Sequence, residues 1–492
     1  MTSFICAIDQ GTTGTTVIIL DDELTVRARV NEEFKQIFPK PSWVEHDPEA
    51  IWKSTRSTLA QAIDKAGIDA NQIAGVGITN QRETTVVWDR NTGEPIHNAI
   101  VWQDRRTRGR IQQLVDDGKE PLVQERTGLI LDPYFAGTKV EWILDHVDGA
   151  RQRARRGELA FGTIDSFLVW KLTGGDVHVT DVSNASRTLF MDLNEVQWDD
   201  ELLSIFNVPR ELLPDIVGNS EVYGEVRGVE GLADGTPICG MAGDQQAALF
   251  GQICFSPGEA KCTYGTGAFL LMNTGQKPVA SDHRLLSTAA WEIDGETTYA
   301  LEGSAFIAGA MVQWLRDGLE LIDDAPQIEE LAKTVSDTGG VVAVPSLSGL
   351  GAPHWNPAAR GGIWGLTRGT TKAHIARAAL EGIALQNVDI LKAMEQDSGR
   401  RLKLLRVDGG ACQNNLLMQM QADFLDREIV RPEMTETTAL GAALLAGLAT
   451  GVFADLEEIR STWREERRFR CQMDTRKREK HLESWRNGLA RV

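Results

Sequence analysis

Three short turns rich in glycine and in threonine or asparagine constrain the fold of this chain more than any other feature. They span residues 9–16, 263–268 and 408–415, and each follows an apolar run typical of a buried strand. Glycine lets backbone N–H groups approach an anion, and threonine hydroxyls add neutral donors, so such turns can hold phosphate oxygens without lysine. One such turn is usually an ordinary hairpin or helix start. Three of them favour a nucleotide site, and the absence of GxxxxGK[ST] excludes a P-loop.

The order of predicted elements indicates that the second half of the chain restarts the architecture of the first. Three strands open the chain, at residues 4–8, 17–20 and 25–30. A helix capped by Asp47 and begun by Pro48 follows them. The run 260–273 repeats the theme of two apolar strands around a Gly-Thr turn. Because 492 residues exceed what one hydrophobic core usually supports, we predict an α/β protein with domains 1–250 and 251–492.

Apolar periodicity predicts the remaining major elements. Further strands are expected at 73–79, 96–101, 237–243 and 404–407. Helices are expected at 305–319, 374–395, 416–425 and 440–449. The tail from Arg460 to Arg491 is dense in arginine, lysine and glutamate, which predicts a solvated helix. Trp463 and Trp485 are expected to pack back on the body of the protein.

Composition and charge exclude several function classes. A net charge of -19 disfavours non-specific binding to nucleic acid or to anionic membranes. Six cysteines without a CxxC pair indicate buried thiols in a reducing compartment rather than disulfides or a zinc site. No apolar stretch reaches the length of about 18 residues that a membrane span requires, and no leader pattern is found. We expect a soluble cytoplasmic protein without nucleic-acid partners or membrane insertion.

Two aspartates follow predicted strands in positions that suit phosphoryl transfer. That reaction needs a base for the acceptor hydroxyl and a divalent ion that offsets developing charge. Asp244 ends the strand 237–243 and is the candidate base. Asp9 ends the first strand and suits Mg²⁺, bound through water. For either residue alone, a turn or cap role is the plainer interpretation.

Arg82 and Glu83 follow the strand 73–79, and ligands gather at the carboxyl ends of such strands. A cation beside an anion can bracket vicinal hydroxyls as donor and acceptor, although a local ion pair is the plainer alternative. Trp102, after the run 96–101, could supply an apolar wall for carbon atoms. These residues predict a small hydroxylic ligand.

Taken together, motifs along nearly the whole chain resemble the glycerol kinases of the carbohydrate-kinase family. The matching segments are Asp9-Gln-Gly-Thr-Thr, Thr79-Asn-Gln-Arg-Glu-Thr-Thr, Trp102-Gln-Asp-Arg-Arg-Thr, Leu131-Asp-Pro-Tyr-Phe, Gly243-Asp-Gln-Gln-Ala-Ala-Leu-Phe-Gly, Tyr264-Gly-Thr-Gly-Ala-Phe and Asp408-Gly-Gly. The resemblance implies two actin-like (ribonuclease H-like) ATPase domains flanking a deep cleft. It also implies a homo-oligomer, either a dimer or a tetramer.

The resemblance further implies ATP-dependent phosphorylation of glycerol to sn-glycerol 3-phosphate, with Asp244 as general base and Mg-ATP as donor. The implied glycerol contacts are Arg82, Glu83, Trp102, Tyr134, Asp244, Gln245 and Phe269. The implied ATP or ADP contacts are Thr12, Thr13, Gly14, Thr16, Thr266, Gly309, Gln313, Gly410 and Asn414. Asp9 would position Mg²⁺.

Two departures from the resemblance concern regulation and the grip on ATP. Thr16 stands where many relatives have arginine, so a cationic phosphate contact is missing. The stretch 235–237 is one residue shorter than the fructose 1,6-bisphosphate loop of relatives and lacks its arginine. We expect no strong inhibition by that sugar bisphosphate and no phosphohistidine activation, since residues 219–236 contain no histidine. The open alternatives are a kinase of another small polyol or ketopentose, and an actin-like or chaperone-like ATPase without a small acceptor.

Overall fold

The computed structural model describes residues 3–356 and 358–492, and its first half is built on a six-stranded mixed sheet, here called the N-terminal sheet. Its strands, in spatial order, are Ser220–Glu225, Pro237–Gly243, Ile73–Asn80, Phe4–Gln10, Gly14–Asp21 and Val26–Glu33. The first strand of the chain pairs antiparallel with the second and parallel with Ile73–Asn80. The carboxyl ends of Phe4–Gln10, Ile73–Asn80 and Pro237–Gly243 therefore meet at one edge.

A second mixed sheet, the C-terminal sheet, repeats this pattern with one additional strand. Its strands, in spatial order, are Leu286–Ile293, Glu296–Ala305, Ala268–Gly275, Glu259–Tyr264, Leu404–Asp408, Ile429–Pro432 and Glu465–Phe469. Again an antiparallel meander adjoins two parallel strands and an antiparallel edge strand. The predicted restart of the architecture is thus present in the topology.

Shorter elements complete the two halves. Two-stranded ladders join Glu45–His46 to Ala99–Ile100, Val86–Asp89 to Leu159–Gly162, Val179–Asp181 to Asp215–Val217, Met191–Asp192 to Gln197–Trp198, and Val342–Val344 to Gly362–Trp364. The α-helices are Pro48–Ala66, Arg108–Asp116, Glu120–Thr127, Gly137–His146, Ala150–Arg155, Ile164–Leu172, Val182–Ala185, Asp200–Ile205, Asp244–Gly251, Gly309–Asp317, Gln327–Lys333, Lys372–Ser398, Asn415–Leu425, Thr437–Ala449, Leu456–Thr462 and Thr475–Leu489. No helix of the described residues is long and apolar enough to cross a membrane.

The helix Thr437–Ala449 packs away from its own half of the chain. Only the last strand of the C-terminal sheet, Glu465–Phe469, follows it in sequence, yet it contacts the strands Phe4–Gln10, Ile73–Asn80 and Pro237–Gly243 of the N-terminal sheet and the helix Asp244–Gly251. Glycines permit the contact: a Cβ on Gly77 would lie 2.2 Å from the carbonyl oxygen of Ala442, and one on Gly441 would lie 1.9 Å from that of Ala247. The two halves therefore share one apolar layer.

Three sequence predictions differ from the structure. The run 96–101 forms only the short strand Ala99–Ile100, outside both sheets, because it pairs with Glu45–His46. The predicted helix 305–319 is shorter, since Ala305 ends a strand and the helix spans Gly309–Asp317. The tail is not one solvated helix, because its strand Glu465–Phe469 pairs with Ile429–Pro432. Trp485 is buried and Trp463 partly buried, as expected.

Candidate functional site

Five charged side chains meet where the two halves face each other, and we call them the charged cluster: Arg82, Glu83, Arg187, Asp244 and Glu302. Arg82 and Glu83 follow the strand Ile73–Asn80, and Asp244 follows Pro237–Gly243. Glu302 comes from the opposite half, on Glu296–Ala305. The Asp244 side chain is 32% exposed, whereas those of Arg82 and Glu302 are 2% and 1% exposed. Asp244 is thus the member most open to a ligand.

Arg82 makes more contacts than any other residue of the charged cluster. Its Nη1 and Nη2 donate to the two carboxylate oxygens of Glu302 at 2.5 and 3.0 Å. Its Nε lies 3.2 Å from Oδ1 of Asp244, and its Nη2 donates to the Tyr134 hydroxyl at 3.3 Å. Nη1 also donates to Oε1 of Gln246 at 3.2 Å. A guanidinium held on several edges is fixed in position and orientation.

Glu83 adopts a backbone conformation that points to a functional constraint. Its φ of 61° lies in the left-handed region, which is uncommon for a residue with a Cβ. Its Oε1 accepts a hydrogen bond from Nε of Arg187 at 2.7 Å. Burial raises the pKa of Glu83, and the charges of Arg82 and Arg187 oppose that shift. The predicted local ion pair with Arg82 is long, at 3.9 Å, so Arg187 is the closer partner.

Asp244 begins the helix Asp244–Gly251, and only one of its carboxylate oxygens is engaged. Oδ1 accepts from the backbone N–H of Gln245 at 2.7 Å and lies beside Arg82. Oδ2 has no hydrogen-bond donor among residues 3–356 and 358–492. Burial raises the pKa of Asp244, and the charges of Arg82 and Lys261 act in the opposite direction. A partly exposed carboxylate with a raised pKa and one free oxygen can accept a proton from a hydroxyl.

Aromatic rings border the charged cluster. Trp102 and Tyr134 pack edge to face with ring centroids 5.7 Å apart. Trp102 Nε1 donates to Oγ1 of Thr12 at 3.0 Å, which ties this wall to the first glycine turn. Phe269 is partly buried and lies opposite Ser304, on the sheet face that carries Glu302. The structure therefore brings the predicted Trp102 and Tyr134 together, with Phe269 on the facing sheet.

The site also contains four charged residues that were not predicted from the sequence: Lys139, Arg187, Lys261 and Glu302. Lys139 is buried, and its Nζ donates to the carbonyls of Tyr134 and Phe135 at 2.5 and 2.9 Å. Burial lowers the pKa of Lys139 to about 7. Lys261 is also buried, and its Nζ donates to Oε1 of Gln245. A charged residue inside an apolar strand pattern, as at Lys261, was the available signal.

The first glycine turn lies between the strands Phe4–Gln10 and Gly14–Asp21. The N–H of Gly11 donates to the carbonyl of Gly14 at 2.9 Å, and at the tip of the turn Thr12 is partly buried and Thr13 exposed. A Cβ on Gly14 would lie 2.7 Å from the carbonyl oxygen of Glu32, so glycine is required there. Thr16 lies on the strand itself, is buried, and accepts from Nδ2 of Asn31 at 2.9 Å.

The second glycine turn, Gly265–Gly267, abuts the N-terminus of the helix Gly309–Asp317. The N–H of Gly309 donates to the carbonyl of Gly265 at 3.0 Å, and the N–H of Ala310 donates to that of Thr266 at 3.0 Å. A Cβ on Gly309 would lie 2.6 Å from the Gly265 carbonyl oxygen. Gln313, one turn along the helix, is exposed. Thr266 and Gln313 therefore face solvent from neighbouring elements.

The third glycine turn follows the strand Leu404–Asp408 and is held against the second. Gly409 has φ 81°, and a Cβ there would lie 2.5 Å from the carbonyl oxygen of Tyr264. Gly410 is exposed, and a Cβ added there would meet no atom within 4 Å. Asn414 caps the helix Asn415–Leu425 by accepting from the N–H of Leu417 at 2.9 Å. The predicted nucleotide residues of this half thus lie on adjoining loops and helix starts.

Asp9 lies in a region of excess negative charge at the edge of the N-terminal sheet. Burial and the charges of Asp244 and Glu436 raise the pKa of Asp9 to about 7, while Arg29 opposes the shift. Arg29 pairs with Glu436 at 3.2 Å between Nε and Oε1. The described residues contain no group of three or more histidine, cysteine, aspartate or glutamate side chains able to hold a metal. A cation here would need ligand oxygens in addition to those of Asp9.

Comparisons with known proteins identify the family. The model of the FGGY family of carbohydrate kinases, N-terminal domain, matches residues 4–251, and that of the C-terminal domain matches residues 260–450. The glycerol kinase of Myxococcus xanthus is 58% identical over 99% of both chains. Glycerol kinase 2 of Thermotoga maritima is 54% identical, covering 99% of this chain and 98% of that protein.

Solved structures agree in fold. The crystal structure of Plasmodium falciparum glycerol kinase with ADP has a TM-score of 0.94 and 38% identity, covering 100% of this chain and 98% of that one. The xylulose kinase of Lactobacillus acidophilus, at 23% identity, has a TM-score of 0.90 over 99% of this chain and 97% of its own and shows the fold alone. The predicted pair of actin-like α/β domains is confirmed. The chain therefore belongs to the FGGY family of carbohydrate kinases.

Proposed function

We propose that this protein transfers the γ-phosphoryl group of ATP to a terminal hydroxyl of glycerol, giving sn-glycerol 3-phosphate. The observation that carries the proposal is the meeting of Arg82, Glu83 and Asp244 beside the Trp102–Tyr134 wall. This arrangement offers donors, acceptors and apolar surface to a molecule with three carbons and three hydroxyls. The names and high identities of the curated relatives support the same substrate.

In the proposed reaction, Oδ2 of Asp244 accepts the proton of the attacking hydroxyl as its oxygen bonds to the γ-phosphorus. The bond between the γ-phosphorus and the bridging oxygen breaks in the same transfer, and ADP leaves with that oxygen. Arg82 and Glu83 bind the remaining hydroxyls, with help from the Tyr134 hydroxyl and Gln245. Trp102 and Phe269 cover the carbon atoms. Positioning and charge stabilisation supply most of the catalysis in phosphoryl transfer, so the fixed guanidinium of Arg82 is well suited to this role.

The donor ATP is proposed to lie across the three glycine turns. The phosphates are proposed to face the backbone N–H groups of these turns, including that of Gly14, and the hydroxyls of Thr12, Thr13 and Thr266. Gly309, Gln313, Gly410 and Asn414 line the nucleoside pocket. Thr16 is buried and bonded to Asn31, so its contribution is the shape of the strand behind the first turn. The exposure of Thr13, Thr266, Gln313 and Gly410 supports an open nucleotide side.

Magnesium fits the excess negative charge at Asp9. The pKa of about 7 reflects repulsion from Asp244 and Glu436 as well as burial, and a divalent cation relieves such repulsion. Since the described residues offer no cluster of three metal-ligating side chains, phosphate oxygens and water would complete the coordination. When bound, the ion offsets negative charge on the phosphates.

Four further properties are part of the proposal. The division into domains 1–250 and 251–492 is supported by the two sheets, which lie on either side of residue 250. Five buried free cysteines support a reducing cytoplasmic location. A homo-oligomer, either a dimer or a tetramer, stays part of the proposal because the resemblance to the family implies it. The loop before Pro237 supports a lack of inhibition by fructose 1,6-bisphosphate, and a clear inhibition curve at millimolar ligand would contradict it.

A side-by-side kinetic assay tests the proposed substrate. The values of kcat/KM for glycerol, dihydroxyacetone, erythritol and a ketopentose are measured with ATP, together with ATP hydrolysis in the absence of an acceptor. We expect glycerol to give the highest value and to divert ATP from hydrolysis. A higher kcat/KM for a longer polyol would reject glycerol as the substrate. Hydrolysis that glycerol does not affect would instead favour an actin-like or chaperone-like ATPase.

A further inference from the structure

Four members of the charged cluster form a buried, electrically balanced group of two arginines and two glutamates. The side chains of Arg82, Glu83, Arg187 and Glu302 are each at most 2% exposed. Glu302 accepts from Arg82 through both oxygens and from Nη2 of Arg187 at 3.0 Å. Burial alone would raise the pKa of Glu302, but Arg187 and Arg82 outweigh it and lower the pKa to about 2. Glu302 is therefore ionised at neutral pH.

Glu302 is the member of this group that belongs to the C-terminal sheet. In the sheet register it lies opposite Leu271, which lies opposite Lys261. Residues opposite each other share a sheet face, so Glu302 and Lys261 project from the same face. Glu302 contacts Arg82, and Lys261 contacts Gln245, so both act on residues beside Asp244. Glu302 and Lys261, from the C-terminal sheet, thus hold Arg82 and Gln245, the two neighbours of Asp244 in the other half.

The contacts of Arg82 depend on Glu302 more than on any other anion. Glu302 takes both terminal nitrogens of the guanidinium, whereas Asp244 faces only Nε, at 3.2 Å. If the Glu302 charge were lost, Asp244 would be the nearest anion left for Arg82, since Glu83 is 3.9 Å away and engaged by Arg187. A tighter Arg82–Asp244 pair would occupy the oxygen atoms that a hydroxyl needs.

We propose that Glu302 is a positioning residue that holds Arg82 in its substrate-binding orientation and keeps Asp244 from pairing fully with that guanidinium. This inference rests on the proposed function, because it assigns Asp244 as the base. Glu302 touches neither glycerol nor ATP in this scheme and acts only through Arg82 and Arg187. Because it comes from the opposite half, the orientation of Arg82 depends on the two sheets being held together.

The variant Glu302→Gln tests the proposal by keeping shape while removing charge. We expect kcat/KM for glycerol to fall about 100-fold, a loss typical of a misplaced group, with kcat falling as well as KM rising. The acid limb of the kcat/KM profile should move to lower pH. Asp244 would lose the repulsion of Glu302 and gain a closer Arg82, and both changes favour its ionised form. The attraction of Lys261 and the repulsion of Asp9 stay unchanged in this variant.

Two further variants separate positioning from stability. Glu259→Gln neutralises another largely buried carboxylate of the same sheet, which pairs with Arg406 at 3.5 Å and Arg460 at 3.6 Å rather than with a member of the charged cluster. It should lower the Tm without moving kcat/KM or the acid limb. Glu302→Asp keeps the charge but shortens the reach. It should cost about tenfold in kcat/KM and leave the acid limb within about 0.3 pH units of wild type.

The outcomes distinguish this inference from the proposed function. Wild-type protein that does not phosphorylate glycerol would overturn both. A second outcome is that the wild type is active and Glu302→Gln lowers only the Tm, with kcat/KM and the acid limb unchanged. This result would overturn the role of Glu302 but not the proposed function. If Glu302→Gln does not fold, full wild-type kcat/KM in Glu302→Asp would overturn it, and a tenfold loss would support it.

Discussion

The charged cluster and the glycine turns hold their shape in different ways. The charged cluster relies on long side chains whose charges are matched inside the protein, as Arg82 is by Glu302. The glycine turns rely on backbone that packs too closely for a Cβ, as at Gly309 and Gly409. A charge substitution should therefore affect the acceptor more than the nucleotide, and an added methyl group at a glycine turn should do the opposite.

The largest expected effect comes from Asp244→Asn. Because the amide cannot accept the hydroxyl proton as a base, kcat should fall about 1,000-fold. Release of ADP in the presence of saturating glycerol measures the rate, and calorimetry measures glycerol binding, which should persist. Asp317→Asn, an exposed substitution on the helix Gly309–Asp317, serves as control. Retention of more than a tenth of wild-type kcat would remove Asp244 from the role of base.

Arg82→Met should break the charged cluster while sparing the glycine turns. The loss of the guanidinium leaves Glu302 without its bidentate partner, and the KM for glycerol should rise about 100-fold. The KM for ATP should change less than about threefold. Initial rates over a grid of both substrates give the two constants. Equal increases in both would show that the two regions are not independent.

Gly309→Ala is the complementary change on the nucleotide side. Its Cβ would lie 2.6 Å from the Gly265 carbonyl, so the second glycine turn must shift. We expect the KM for ATP to rise about tenfold and the KM for glycerol to stay within about twofold. Gly109→Ala, where the added Cβ meets nothing within 4 Å, is the matched control. A selective rise in the KM for glycerol would contradict the comparison.

The smallest expected effect is that of Thr16→Arg, which restores the cation found in many relatives. A new phosphate contact should lower the KM for ATP by about threefold. This change is smaller than the rise in the KM for glycerol expected when the buried Arg82 charge is removed. The hydrogen bond from Asn31 to Thr16 would be lost, so Thr16→Val, which removes that bond without adding charge, is the control. If Thr16→Arg binds ATP no more tightly than the wild type, the absence of arginine at this position does not weaken phosphate binding.

Much of the fold was predictable because apolar strands followed by glycine turns carry a strong local signal. The meander, the strand before Asp244 and the three helices between residues 370 and 450 were found within a few residues. The strand predicted at 96–101 was too long, because a short apolar run does not show which strand it will pair with. Only Ala99–Ile100 form a strand there, paired with Glu45–His46. The strand Glu465–Phe469 was missed because its burial is slight and its pairing depends on a distant strand.

The site was predictable only where motif residues stand at strand ends. Arg82, Glu83 and Asp244 were found in this way, and the structure brings them together. Arg187 and Glu302 lie 104 and 115 residues from their partners Glu83 and Arg187 along the chain. No periodicity links such distant positions, so their pairing follows only from the packing of the two sheets.

The helix Thr437–Ala449 also bears on how this protein can be divided experimentally. A fragment that ends near residue 250 would keep all six strands of the N-terminal sheet but lose the helix that covers them, and its apolar face around Ile5, Ala7 and Cys239 would meet water. Such a fragment is expected to aggregate during expression. Soluble half-proteins would have to carry residues 437–449 on a linker, or be co-expressed with the remainder of the chain.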